Sequence, residues 1–333
     1  MIDKSSSDMK IAAILINMGG PADPAGVRPF LYRLFSDRHV MDMPQPIRGF
    51  LALMISTFRA PKAKKRYAQI GGRQDSTLTS GSPLMKWTGL QAQKTERILK
   101  EKYPQASVGV AYSYIEPSIV STVARFVRGG FDKIIALPLY PHYSFSTLGS
   151  IFGDIERARK KYHLGKRLII CAPFYKDERY ITISGDLLRE ALDKIDRTKP
   201  YKIVLTAHAL PESFILKGDP YKLQVEKNAK LLAGRAGIDD YILAFQSKVG
   251  PVNWIEPSTV QTIRELGKSG VKQVIVAPLG FVCDNIETLH ELDIELREIA
   301  DEAGIETFLR APVFNDRDSF ASFLAEYIDE ASL

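Results

Sequence analysis

An internal repeat restricts the fold of this chain more than any other feature of its sequence. The tetrapeptide IEPS occupies residues 115–118 and returns at residues 255–258, and the register then holds at an offset of 140 residues through position 139. Ten of the 25 positions from 115 to 139 are identical in the two copies. Each copy has the pattern of a helix that begins near Pro-Ser, a glycine stop and a buried strand. We therefore expect two similar domains.

Short apolar runs alternate with helical patterns along the chain. This alternation favours the α/β class, with parallel sheets covered by helices on both faces. We predict one Rossmann-like domain over residues 1–170 and a second over residues 171–333, with the C-terminal helix able to pack back on the first. Parallel sheets bind ligands beyond the carboxyl ends of their strands, so we expect the site in a cleft between the domains. The runs are residues 11–17, 108–112, 133–139, 168–172, 202–206, 242–245 and 273–279.

The composition excludes several classes of protein. The formal charge of +6, from 45 basic and 39 acidic residues, is too small for nucleic-acid binding to be expected. Cys171 and Cys283 lack C-x-x-C spacing, which argues against a zinc ribbon, an iron–sulfur cluster and a disulfide framework. Residues 1–10 lack an apolar segment and no run of about 18 apolar residues occurs, so we predict a cytoplasmic protein.

His208 is the first candidate for chemistry, because it follows the apolar run at residues 202–206. An imidazole at the carboxyl end of a strand can bind a metal or accept a proton near neutral pH. A single histidine is more often a structural residue, so His208 needs a partner before it indicates a site.

Three glutamates form a second candidate for chemistry. Glu287, Glu291 and Glu295 are spaced i, i+4, i+8 and would share one face of a helix. The ordinary explanations are a solvated helix face and a capping box that runs from Asp284 to Glu287. The alternative is a line of carboxylates that conducts a divalent cation such as Fe²⁺ into a cleft.

Aromatic residues gather near the predicted strand ends. Such residues usually belong to the core, but they can also form the walls that a flat apolar ligand requires. They are Tyr112, Tyr114, Tyr140, Tyr143, Phe245, Trp254 and Phe281.

Eight ordered segments resemble the ferrochelatase family over nearly the whole chain. They are LINMGGP from residue 15, RAPK from 59, YAQIGG from 67, GSPL from 81, PLYPHYS from 138, TAHALP from 206, FQSKVGPVNW from 245 and DNIETLHELD from 284. The resemblance implies two Rossmann-like domains that hold a porphyrin between them. It also implies an enzyme that inserts Fe²⁺ into protoporphyrin IX, with release of two protons, to form haem.

The resemblance assigns roles residue by residue. His208 matches the catalytic histidine, either as a metal ligand or as an acceptor of pyrrole protons, and Glu287 matches the glutamate opposite it. Glu291 and Glu295 match carboxylates that conduct metal or protons. The family implies no organic cofactor, and the absence of a cysteine-bearing tail implies no iron–sulfur cluster. Positions that match the porphyrin pocket or its propionate contacts are Met18, Arg59, Tyr67, Ser82, Lys248 and Trp254.

The chain departs from the family pattern at three places. Asn285 replaces a common histidine, Ser113 replaces a common arginine, and residues 73–80 are an insertion that we expect to form a mobile loop near the cleft. Residues 29–61 combine apolar side chains with arginines, which predicts a lip that contacts substrate or the surface of a membrane. Two alternatives stay open: a chelatase for another tetrapyrrole, such as a coproporphyrin or sirohydrochlorin, and a tetrapyrrole-binding protein without catalysis.

Overall fold

The computed structural model describes residues 9–71, 81–248, 250 and 252–333. The predicted insertion at residues 73–80 lies outside the described residues. Within the described part of the chain, eight strands form two sheets. The strands are β1 (Ile11–Asn17), β2 (Ser107–Tyr112), β3 (Lys133–Pro138), β4 (Leu168–Ile170), β5 (Tyr201–His208), β6 (Ile242–Gln246), β7 (Gln273–Pro278) and β8 (Thr307–Arg310).

Helices connect the strands in the order that the alternating pattern predicts. The α-helices are α1 (Val27–Ser36), α2 (Gln45–Ile70), α3 (Leu84–Lys102), α4 (Ile119–Arg128), α5 (Ser150–Lys161), α6 (Glu178–Leu192), α7 (Glu212–Leu216), α8 (Tyr221–Ala236), α9 (Thr259–Lys268), α10 (Arg297–Glu302) and α11 (Asp318–Ser332). A 3₁₀ turn covers Gly165–Arg167, and two π-helices cover Phe145–Gly149 and Glu287–Leu296.

Both sheets are parallel and have the same topology. Their strand orders are β2-β1-β3-β4 and β6-β5-β7-β8. The register is also shared, since Ile16 of β1 pairs with Pro138 of β3 and Thr206 of β5 pairs with Pro278 of β7. Because Pro138 and Pro278 are equivalent in the sequence repeat, the structure confirms the predicted α/β class and the duplication.

The structure divides the chain into two compact units. The first unit contains residues 1–140, 145–173 and 315–333, and the second contains residues 141–144 and 174–314. The predicted boundary lay at residue 170, with the C-terminal helix able to pack back on the first domain; in the structure α11 belongs to the first unit.

The contacts of α11 explain why this helix belongs to the first unit. Phe320 and Ile328 are fully buried. The Tyr103 hydroxyl at the end of α3 donates a hydrogen bond to Asp329 Oδ1 at 2.6 Å, and Lys102 forms an ion pair with the same carboxylate. These contacts within the first unit account for the position of the C-terminal helix.

Residues alternate between the two faces of the second sheet, and this alternation positions the candidate site. Ile203 and Leu205 of β5 pack in a layer with α6 and α8, whereas Val204 packs in a layer with α9 and the second π-helix. His208 has the same parity as Val204, so it lies on the face of β5 that meets the second π-helix.

None of the described helices is both long and apolar enough to cross a bilayer. The longest, α2, has 26 residues but carries charged side chains throughout its C-terminal half.

Candidate active site

His208 is the last residue of β5, because the strand extends two residues beyond the apolar run at 202–206, and it pairs with Gln246 of β6. Its Nδ1 lies 2.6 Å from the carbonyl oxygen of Ala209. A carbonyl oxygen can only accept, so Nδ1 carries the proton and donates, which leaves the lone pair of the neutral ring on Nε2. The Tyr221 hydroxyl donates to the backbone oxygen of His208 at 2.9 Å and fixes the end of the strand.

Glu287 faces the free nitrogen of this imidazole. Its Oε2 lies 3.9 Å from His208 Nε2, and its side chain is 20% exposed. The pair is partly accessible, because the His208 side chain is 41% exposed. The structure therefore brings together the two residues that the sequence analysis named as catalytic.

The segment that carries the glutamates is a π-helix, whereas the sequence pattern predicted a helix without specifying its type. It runs from Glu287 to Leu296, with hydrogen bonds that span one more residue than in an α-helix. The capping box from Asp284 to Glu287 was one ordinary explanation of the pattern, and the structure shows Asn285 at the start of the helix instead. The Asn285 side chain accepts from the backbone N–H of Glu287 at 2.7 Å and of Thr288 at 3.3 Å. Asp284 instead accepts from the Thr288 hydroxyl at 2.8 Å.

Ser247 links two of the three glutamates. Its hydroxyl hydrogen-bonds to Glu291 and lies 3.5 Å from Glu287 Oε2. Ser247 has a φ of 66°, in the left-handed region that residues other than glycine seldom adopt. The sequence analysis missed this residue, although its position directly after β6, beside the end of β5, was a signal that could have found it.

Glu295 has a different neighbour from the other two. Its Oε1 lies 3.7 Å from Nδ1 of His290, whose side chain is 5% exposed. The ion pair exists only when the imidazole is protonated. Glu287 and Glu291 thus lie within hydrogen-bonding distance of the Ser247 hydroxyl, whereas Glu295 lies beside His290.

Two predicted substrate contacts lie in the same unit. Lys248 forms an ion pair with Glu256. Trp254 is half-buried against the core of the second unit and bridges to Pro211. Its indole Nε1 is buried, and no described residue accepts its proton. A buried donor of this kind calls for an acceptor, and the described residues supply none.

The remaining predicted contacts lie in the first unit. Met18 follows β1 at the position that the shared register equates with His208, so only one copy of the repeat carries the imidazole. Arg59 on α2 places its guanidinium 5.5 Å from the centre of the Phe35 ring. Tyr67 on α2 is buried at 6% exposure. Ser82 is also buried, and its backbone N–H donates to Pro21 at 2.8 Å.

The donor set at His208 suits a borderline divalent cation, because imidazole nitrogen and carboxylate oxygen both bind Fe²⁺. In the described part of the chain, however, no three His, Cys, Asp or Glu side chains are arranged to hold a metal ion. The predicted set of His208, Glu287, Glu291 and Glu295 is therefore not a preformed coordination sphere.

Comparison with known proteins identifies a family. The ferrochelatase family model matches residues 10–332. The ferrochelatase of Geotalea daltonii is 38% identical over 96% of this chain and 97% of its own length. That of Rippkaea orientalis is 37% identical over 97% of this chain and 82% of its own length.

A solved structure extends the similarity to the fold. SirB from Bacillus subtilis, determined with Fe³⁺, superposes with a TM-score of 0.57 over 97% of this chain and 96% of its own. At 14% identity this similarity concerns the fold alone. The match of the family model to almost all of the sequence and the level of identity to its relatives lead to one conclusion: the chain belongs to the ferrochelatase family.

Proposed function

We propose that this protein inserts Fe²⁺ into protoporphyrin IX and releases two protons to form haem. The observation that carries the proposal is the imidazole of His208, with its lone pair on Nε2 and a carboxylate oxygen of Glu287 3.9 Å away. Ferrous iron and the porphyrin are both substrates.

His208 acts in this proposal as the acceptor of pyrrole protons. Because Nδ1 donates to Ala209, Nε2 is the nitrogen that can take a proton. Once it does so, the resulting imidazolium faces the Glu287 carboxylate at ion-pair distance, and the new charge is compensated locally. The assignment of His208 as a metal ligand would instead require Nε2 to keep its lone pair for iron.

In this proposal Glu291 and Glu295 bind the incoming Fe²⁺ transiently and pass it on. Carboxylates bind hydrated divalent cations and exchange them, which suits a substrate ion that must leave for the porphyrin nitrogens. The absence of a preformed three-ligand site among the described residues is compatible with passage of a metal ion. We expect turnover to need no organic cofactor and no iron–sulfur cluster, and analysis of the active protein for inorganic sulfide tests the second expectation.

The porphyrin carboxylates need cations and N–H donors. We assign Lys248 and Trp254 of the second unit, together with Met18, Arg59, Tyr67 and Ser82 of the first, to contacts with the porphyrin and its propionates. Support is strongest for Trp254, whose buried N–H finds no acceptor among the described residues. Porphyrin would supply that acceptor.

Residues 29–61 also support a peripheral contact with a membrane. Apolar side chains that would be buried in a core are exposed here, including Phe58 at 73% and Phe50 at 62%. Arginines at 33, 38, 48 and 59 lie among them, so the surface would bind anionic lipid headgroups. Co-sedimentation with phosphatidylglycerol vesicles but not with phosphatidylcholine vesicles is the expected result, and loss of the difference in Phe50→Ser/Phe58→Ser tests the assignment.

The catalytic proposal is tested by anaerobic incubation with Fe²⁺ and protoporphyrin IX, followed by porphyrin fluorescence and haem absorbance. We expect His208→Ala and Glu287→Gln each to slow insertion by about 10²- to 10⁴-fold, the usual contribution of a general base, with porphyrin binding retained. His163→Asn and Glu298→Gln are matched controls at positions outside the site.

The same assay separates the alternatives. Insertion of metal into coproporphyrin or sirohydrochlorin, but not into protoporphyrin IX, would show that the protein acts on a different tetrapyrrole from the one proposed. Binding of every tetrapyrrole without metal insertion would establish the binding-protein alternative and refute catalysis.

A further inference from the structure

Arg310, the last residue of the edge strand β8, carries the most extensively paired buried cation of the second unit among the described residues. Its Nε lies 2.7 Å from Asp293 Oδ1 and its Nη2 lies 2.9 Å from Asp293 Oδ2, so the pair is bidentate. The same Nη2 lies 3.2 Å from Asp284 Oδ1. The arginine side chain is 10% exposed and that of Asp284 is 4% exposed.

The two aspartates flank the residues that face the imidazole. Asp284 lies three residues before Glu287, and Asp293 lies two residues after Glu291. The Thr288 hydroxyl adds a hydrogen bond of 2.8 Å to Asp284 inside the first turn. The Arg310 guanidinium therefore connects the edge strand β8 to two places: the segment just before the second π-helix, through Asp284, and the middle of that helix, through Asp293.

A π-helix of this length needs support from outside. Such helices are rare and occur mostly as single turns, whereas this one extends over ten residues. Residues four apart lie on the same side of either helix type, but the two hydrogen-bonding patterns turn that side by different amounts with respect to residues outside the helix. The direction in which Glu287 and Glu291 point toward Ser247 and His208 therefore depends on how the helix is held.

The ion pairs of Arg310 are better explained as a means of fixing the register of the helix than as a source of stability. Desolvation offsets much of the attraction in a buried ion pair, and specification of register is the best attested use of such pairs. The planar guanidinium imposes both distance and angle on Asp293, which a lysine ammonium cannot do.

We propose that Arg310 is a positioning residue for metal insertion, which holds Glu287 and Glu291 in place through Asp284 and Asp293. The inference rests on the proposed function of this site. The substitution Arg310→Lys keeps the charge and loses the bidentate geometry. We therefore expect it to raise the KM for Fe²⁺ and to leave the KM for porphyrin unchanged.

The experiment compares Arg310→Lys with Arg297→Lys. Arg297 is a matched control, because its Nη1 donates to Phe308 of the same strand at 3.0 Å but it contacts neither aspartate in any described hydrogen bond or ion pair. We expect the Fe²⁺ KM of Arg310→Lys to rise about 10- to 100-fold, the usual effect of losing an outer partner of a metal ligand, with the porphyrin KM constant. Amide hydrogen exchange over residues 287–296 should accelerate in this variant alone.

A double-mutant cycle with Glu291→Gln makes the test specific. If Arg310 acts through Glu291, then Arg310→Lys adds little to the Fe²⁺ KM of the Glu291→Gln protein, whereas independent effects would multiply. Independent effects, or an Fe²⁺ KM equal to that of Arg297→Lys, would overturn the inference and leave the proposed function intact. A wild-type protein that inserts no metal would refute the proposed function, and the exchange rates would then decide by themselves whether Arg310 holds the helix.

Discussion

His142 makes the stability of this protein depend on pH in a way that can be calculated. The residue is 3% exposed, and its Nε2 lies 3.2 Å from Oδ1 of Asn228. Asn228 donates its Nδ2 to the Tyr175 carbonyl at 2.7 Å, which orients Oδ1 toward the imidazole. His142 Nε2 must therefore donate, and the ring is held as a neutral tautomer.

Burial lowers the pKa of His142 from 6.5 to about 4, because the charged ring would lose its hydration, while the hydrogen bond to Asn228 acts weakly in the opposite direction. Between these two pKa values the unfolded chain binds a proton that the folded protein does not. The contribution to stability is therefore complete above pH 6.5 and is lost as the pH falls toward 4. From the linkage relation, the loss between pH 8 and pH 5 is about 2 kcal/mol.

The assay measures the free energy of unfolding in urea at pH 8 and pH 5 for the wild type and His142→Gln. Glutamine keeps an N–H donor for Asn228 but does not titrate. We expect the variant to be less stable at pH 8 and the difference from the wild type to shrink by about 2 kcal/mol at pH 5. A difference of equal size at both pH values would refute the argument that His142 is folded as a neutral ring.

Three further predictions concern single positions. Trp254→Phe removes a buried N–H that no described residue accepts, so the free energy of unfolding should change by less than about 1 kcal/mol in urea while the porphyrin Kd, from fluorescence titration, rises about fivefold; an unchanged Kd would contradict the assignment. Gly267→Ala in α9 should destabilise by about 1 to 3 kcal/mol in the same urea assay, although alanine favours helices, because the new Cβ would lie 2.3 Å from the Ala303 carbonyl oxygen; a more stable variant would refute this. Burial raises the pKa of the Cys171 thiol to about 12, so a disulfide reagent at pH 8 should modify it only after denaturation, and rapid reaction of the native protein would contradict the burial.

Local pattern predicted the strands well and the presence of the site helix, but not its hydrogen-bonding type. The apolar run at residues 11–17 is β1 with the same bounds, because a strand covered on both faces must be apolar throughout. The i, i+4 spacing of the glutamates is compatible with α- and π-helices alike. Contacts that hold the helix from outside the segment, such as those we propose for Arg310, are not indicated by the local sequence.

The sequence by itself determined the α/β class, the duplication and the identity of the residues most suited to chemistry, because burial, periodicity and residue type are properties of short segments. Only the tertiary structure decided that His208 presents Nε2 to Glu287, that Asn285 caps the helix and that Ser247 joins two carboxylates. Each of these depends on distances of a few ångströms between residues far apart in the chain or on the choice between two helical hydrogen-bonding patterns. The free-energy differences that decide such choices arise from packing, so they appear only when the sheets and helices are assembled.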